Sequence, residues 1–177
     1  DHALVPAAEY DRVRADATLS AQMQPYPTSS TEMIHFDTSN KPTDDVRVRQ
    51  ALALGFDRDS LITKVLKDYY LPAPTILPAD IPSNNPGAAL AGDIAKAKEL
   101  LSEAGFPDGK GWPTDFTLVS RTTSPLPLIT QYLQQQWKQN LGIDVQLQPL
   151  EPRAYVEWRS ARKTQPYNAH LGIWGSD

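Results

Sequence analysis

The 177 residues hold few side chains arranged for covalent or metal chemistry. His2, His35 and His170 are far apart, without the paired spacing or the companion acid that a zinc-protease helix needs. The chain has no cysteine, which excludes thiolate catalysis and a disulfide framework. A serine nucleophile turn of the Gly-x-Ser-x-Gly kind is absent, and "GFPDGKGW" from Gly105 has neither the spacing nor the strand-to-helix setting of a phosphate loop. The acids Asp44 and Asp45 are explained by a helix start. Nothing here calls for an enzyme, a metal or a cofactor. The C-terminal run "LGIWGSD", Leu171 to Asp177, places a tryptophan and an acid close together. Taken by itself, Trp174 reads as packing on an apolar strand and Asp177 as a surface carboxylate.

The elements that would position this run can be read from periodicity and punctuation. A helix is predicted from Pro6 to Ala17, then strands from Ala21 to Tyr26 and from Met33 to Thr38, the second with Ile34 and Phe36 inward and His35 and Asp37 outward. In "NKPTDDVRVRQALALGFDRDSL", Val48, Ala51, Leu52 and Gly55 share one helical face, with Thr43 or Asp44 as the cap. Asp57 starts a second helix running to about Leu66. The proline-rich segment Leu71 to Pro86 reads as an extended surface loop. Asp93 begins a helix that carries Ile94, Ala97, Leu101 and Ala104 and ends at Gly105. A strand at Phe116 to Ser120, a helix at Leu126 to Asn140 closed by Gly142, and a strand at Ile143 to Leu147 form a βαβ unit, which implies a parallel pair. A helix from Arg153 to Lys163 directs Tyr155, Val156 and Trp158 toward packing or a groove, and a last strand runs from Tyr167 to Trp174. The fold class is therefore α/β, a mixed sheet flanked by helices, in a single domain over 1–177.

A formal charge of −4 without any basic run argues against a nucleic-acid partner, because a phosphate backbone calls for a concentrated basic face. No apolar stretch is long enough to span a bilayer.

Two stretches, "KPTDDVRVRQALALGFDRDSLITKVL" and "DIAKAKELLSEAGFPDGKG", resemble the family 5 extracellular solute-binding proteins, the peptide and nickel receptors of ABC importers. The resemblance extends over nearly the whole chain, including "MIHFDTSNKP", where Asp37 stands in place of the usual asparagine. It implies most of the C-terminal lobe of a two-lobed, type II periplasmic binding protein-like fold, from a receptor about three times longer. It also implies a site. In peptide-binding members a strand ending Trp-x-x-Asp lines the cleft, and its aspartate meets the ligand's α-ammonium; Trp174 and Asp177 match that pattern. Main-chain groups of Ile173 and Gly175 would pair with an extended peptide, and Arg159, with Arg162 as the competing choice, would meet a ligand carboxylate. Leu171 stands where some oligopeptide receptors carry another arginine. The implied partners are a short peptide and a membrane permease, with a monomeric receptor outside the cytoplasmic membrane, lipid-anchored in some members. Alternatives are a receptor for a nickel chelate, sugar or opine, and a ligand-sensing regulatory domain built on the same lobe.

Overall fold

The computed structural model describes residues 4–24, 28–73, 75–78, 81–85, 92–161 and 167–175. Four strands, β1 (Ser30–Phe36), β2 (Thr117–Arg121), β3 (Gln146–Leu150) and β4 (Ala169–Gly175), form one sheet in the order β1-β4-β2-β3. β2 runs parallel to both β3 and β4, while β1 is antiparallel to β4 from Ser30↔Gly175 to Phe36↔Ala169. The sheet is mixed, and the β2–β3 pair is parallel as the βαβ reading requires.

One face of the sheet carries the apolar core. Leu118 of β2 and Ala169 and Leu171 of β4 meet three helices, α3 (Val46–Leu54), α5 (Ile94–Glu103) and α6 (Leu126–Leu141). Each helix presents the stripe that its spacing dictates: Val48, Ala51 and Leu52 on α3, Ala97 and Leu101 on α5, Ile129, Leu133 and Trp137 on α6. Trp137 is fully buried, and its indole N–H donates to the Leu52 carbonyl at 2.9 Å, so its one polar atom costs nothing to bury. Gly55 closes α3 where the helices crowd together, since a Cβ there would lie 2.7 Å from Leu141 Cδ1 and 2.8 Å from the Ala51 carbonyl oxygen. Close packing and a helix end both account for the glycine.

The helix boundaries follow from local side-chain chemistry. Asp57 caps α4 (Arg58–Ser60) by accepting from the Ser60 amide at 3.0 Å, and the helix continues as a π-helical turn over Leu61–Val65. Asp93 caps α5 through the Lys96 amide, Gly105 follows with φ +97°, and Gly142 ends α6 in the left-handed conformation. The cap of α3 is Asp45, which accepts from the Arg47 amide at 2.8 Å, and not Thr43 or Asp44. Thr43 is instead buried, its hydroxyl 2.6 Å from the Asp37 carbonyl oxygen. Asp37 itself accepts from the Ser39 amide and the Asn40 side chain, so the acid serves the turn as a short polar residue should.

Three other expectations are corrected. The helix predicted over Pro6–Ala17 is a 3₁₀ turn (Ala7–Glu9), then α1 (Tyr10–Ala15), then α2 (Ala17–Ser20), broken at Asp16, whose carboxylate accepts from the Thr18 and Leu19 amides. No strand forms at 21–24, because the Gln22 and Met23 amides are already bonded back to Leu19 and Ser20; residues 25–27 lie outside the described residues. The strand expected at Ile143–Leu147 begins three residues later. Its register is set by β2, which pairs Thr117 with Gln146, and Ile143 and Val145 are buried before the ladder starts. Pro149, without an amide hydrogen, is tolerated because β3 is an edge strand. The described part of the 71–86 segment contains no helix or strand.

Candidate functional site

Because β2, β3 and β4 are parallel, their carboxyl ends, Arg121, Leu150 and Gly175, lie at one end of the sheet. That end is where open α/β sheets form ligand crevices. The β2–β4 ladder spans only Leu118↔Ala169 and Val119↔His170, so beyond His170 the β2-side edge of β4 carries no ladder among the described residues. The other edge is occupied by β1 up to Ser30↔Gly175. A peptide adding to β4 as a strand would therefore use the β2 side.

Of the residues singled out from sequence, Ile173 and Gly175 are exposed at this end and Trp174 is half-buried. Asp177 and Arg162 lie outside the described residues. Arg159 is exposed on α7 (Pro152–Ala161), which packs on β2 and β3; among the described residues no hydrogen bond or ion pair joins it to β4. Val156 on the same helix is 62% exposed, so only Tyr155 turns fully inward there, and the expectation for Val156 holds only for a groove.

The same end contains a group of polar side chains that the sequence reading missed. Glu32 sits opposite Ile173 in the β1–β4 register, and its carboxylate oxygens lie 3.2 and 3.3 Å from Arg121 Nη2, bridging β1 to β2 across β4. The Arg121 guanidinium lies 5.7 Å over the Tyr155 ring. Burial pushes the Glu32 carboxyl above its ordinary value, with the Arg121 charge opposing the shift. Tyr70 is pushed up to about 12, by burial and then by the neighbouring Glu32 charge.

Beneath them, the Tyr155 hydroxyl donates to the Leu171 carbonyl at 2.7 Å. Having one proton, it must accept from His170 Nδ1 at 2.9 Å, which fixes the imidazole tautomer. His170 is 2% exposed, and His35 stacks on it with ring centroids 4.7 Å apart. His35, half-buried, thus lies on the face opposite Ile34 and Phe36, as its alternation implies, and that face carries its own packed rings. Gly172 makes room for the stack, since a Cβ there would approach His35 to 2.9 Å. Away from this end, a half-open recess of about 310 Å³ is bounded by Asn40, Asp115, Trp158 and Tyr167. No cluster of three metal-ligating side chains exists among the described residues.

The signals for these residues were weak. Glu32 and Arg121 read as ordinary polar positions in short strands, and only their pairing across an intervening strand sets them apart.

A family profile described as "Bacterial extracellular solute-binding proteins, family 5 Middle" matches residues 1–177. The chain belongs to family 5. Among similar family 5 members is the periplasmic murein peptide-binding protein MppA of Escherichia coli K12, 31% identical over 97% of this chain and 32% of the relative. The oligopeptide-binding protein OppA of Bacillus subtilis 168 is 27% identical over 86% of this chain and 28% of its own length. In three dimensions, the periplasmic oligopeptide-binding protein OppAIV of Borrelia burgdorferi superposes with a TM-score of 0.83 at 28% identity, covering 96% of this chain and 32% of that protein. The chain thus spans about a third of the length of these relatives.

Proposed function

We propose that these residues form most of one lobe of the substrate-binding receptor of an ABC importer, which captures short peptides outside the cytoplasmic membrane and delivers them to a permease. The observation that carries this reading is the family match over the whole chain, with relatives whose names specify murein peptides and oligopeptides. The end of β4 supports it, because Ile173 and Gly175 are exposed there and the ladder with β2 stops at His170, which leaves room for an extended peptide to add as a strand. Asp177 would pair with the peptide's α-ammonium and Arg159 with a ligand carboxylate, each a charge-assisted contact in a cleft closed by a second lobe. The receptor works as a monomer and performs no covalent chemistry.

The test uses the full-length receptor and calorimetry with matched peptides, one with a free amino terminus and one acetylated. Asp177→Ala is expected to weaken the free-amine peptide by tenfold or more, roughly 1.4 kcal/mol or above, while the acetylated peptide changes little. Equal losses for both peptides would remove the ammonium role.

A further inference from the structure

We propose that the recess at the amino ends of β2 and β4 is a second binding site, for a small neutral polyhydroxylated ring such as a monosaccharide. It lies at the opposite end of the sheet from the crevice, so it goes beyond the peptide-receptor reading and does not depend on it. Thr117, which lines the recess, and Arg121 begin and end β2, and about 13 Å of extended strand separates them.

The recess, about 310 Å³, stands at the small end of the roughly 300–1,000 Å³ that small-molecule pockets span. Its floor is fixed before any ligand arrives. Val119 is buried there, and the Asn168 carboxamide accepts from the Thr117 amide at 2.8 Å and donates to the Lys41 carbonyl at 3.4 Å. Trp158 and Tyr167 form an aromatic wall, meeting edge to face with centroids 5.3 Å apart and planes at 77°. Trp158 is seated in turn on His170 at 5.5 Å. Both wall residues are half-buried, so each packs on the protein and still offers surface to the recess.

The rim has polar groups to spare. Among the described residues, no hydrogen bond or ion pair engages the side chains of Lys41, Asp115 or Gln148, or the indole N–H of Trp158. An ammonium, a carboxylate, a carboxamide and an indole N–H thus border one recess with their donors and acceptors unspent. Lys41 and Asp115 cancel in charge, so the rim selects neither an anion nor a cation. It suits a neutral ligand that donates and accepts along every edge, as hydroxyl groups do. A hydroxyl donating to Asp115 or accepting from Lys41 makes a charge-assisted bond. The C–H face of a sugar ring, slightly positive, complements the negative face of an aromatic ring. Aromatic wall and mixed rim together describe a saccharide.

The experiment titrates the full-length receptor with glucose, N-acetylglucosamine and myo-inositol, and with glycine betaine as a zwitterionic control, read by calorimetry and by tryptophan fluorescence. At least one of the three ring compounds is expected to bind with a Kd of about 1 mM or tighter and to change the fluorescence. Asp115→Asn should weaken it by about tenfold and Gln148→Ala by a few-fold, with thermal stability unchanged because both positions are exposed. Trp158→Phe, which keeps a ring in the wall, should remove the fluorescence change, whereas Trp174→Phe at the crevice should retain it. The assignment is overturned if none of the three binds at about 10 mM, or if betaine binds in their place. Loss of sugar binding in Trp174→Phe with full binding in Asp115→Asn would put the sugar in the crevice and overturn it equally. None of these outcomes touches the peptide reading, which Asp177→Ala tests separately.

Discussion

Over Ala169 to Leu171 both faces of β4 are closed to solvent, but by different means. On one, Ala169 and Leu171 meet Trp137, Leu133 and the other aliphatic residues of three helices, and burial of apolar area holds the contact. On the other, His170 is enclosed by His35, Tyr155, Trp158 and Tyr167, and the contact depends on ring stacking and on the Tyr155 hydroxyl, which serves two partners. The first face supports the fold; the second is held by polar and aromatic contacts that reach from α7 to β4. Substitutions on the two faces should therefore differ in their cost to stability.

The largest effect is expected at Trp137. Replacing it with alanine removes the biggest fully buried side chain and leaves the Leu52 carbonyl without its indole donor. The loss should be about 3–5 kcal/mol in chemical denaturation of the full-length protein. Ligand affinity of the fraction that remains folded should change little. On the opposite face, Tyr155→Phe keeps the ring under Arg121 but removes the hydroxyl that contacts the Leu171 carbonyl and His170 Nδ1, for a smaller cost of ~1–3 kcal/mol. If Tyr155→Phe proved as damaging to the fold as Trp137→Ala, the distinction between the faces would be lost.

The same contrast explains what could be read from the sequence. The helical face was legible because it follows simple rules: Ile129, Leu133 and Trp137 recur at helical spacing, and Asp57, Asp93, Gly105 and Gly142 mark ends by their chemistry. The segmented N-terminus was not, because α1 and α2 bury no residue and therefore leave no periodic signal, so that one capping acid, Asp16, decides the break. The start of β3 was misplaced since Ile143 and Val145 are apolar for packing reasons and precede the ladder. The polar face was invisible for a different reason. Its partners come from β1, β2, β4 and α7, far apart in the chain, and single residues such as His35 and Arg121 carry no local pattern. At the end of β4, Ile173, Trp174 and Gly175 were singled out through family resemblance; among the described residues, β1 ladders with β4 as far as Gly175 while the ladder with β2 stops at His170.

The smallest expected effect is on the pH dependence of stability, and it distinguishes the buried acid Glu32 from the helix caps by sign. Burial raises the Glu32 carboxyl above its unfolded value, so the folded state holds the proton more tightly. Its contribution is fully present below the unfolded pKa and is lost as pH rises through the folded one. Asp57 is lowered by its hydrogen bonds from Ser60, so its contribution is present above the unfolded value and is lost as pH falls through the folded one. Urea denaturation at about pH 4 and at neutral pH should therefore show Glu32→Gln gaining on the wild type as pH rises, and Asp57→Asn losing on it over the same interval. Comparing differences between two pH values cancels the constant part of each substitution, including the partner that Arg121 loses. A Glu32→Gln difference that stays flat with pH would mean that the acid is solvated in the folded protein.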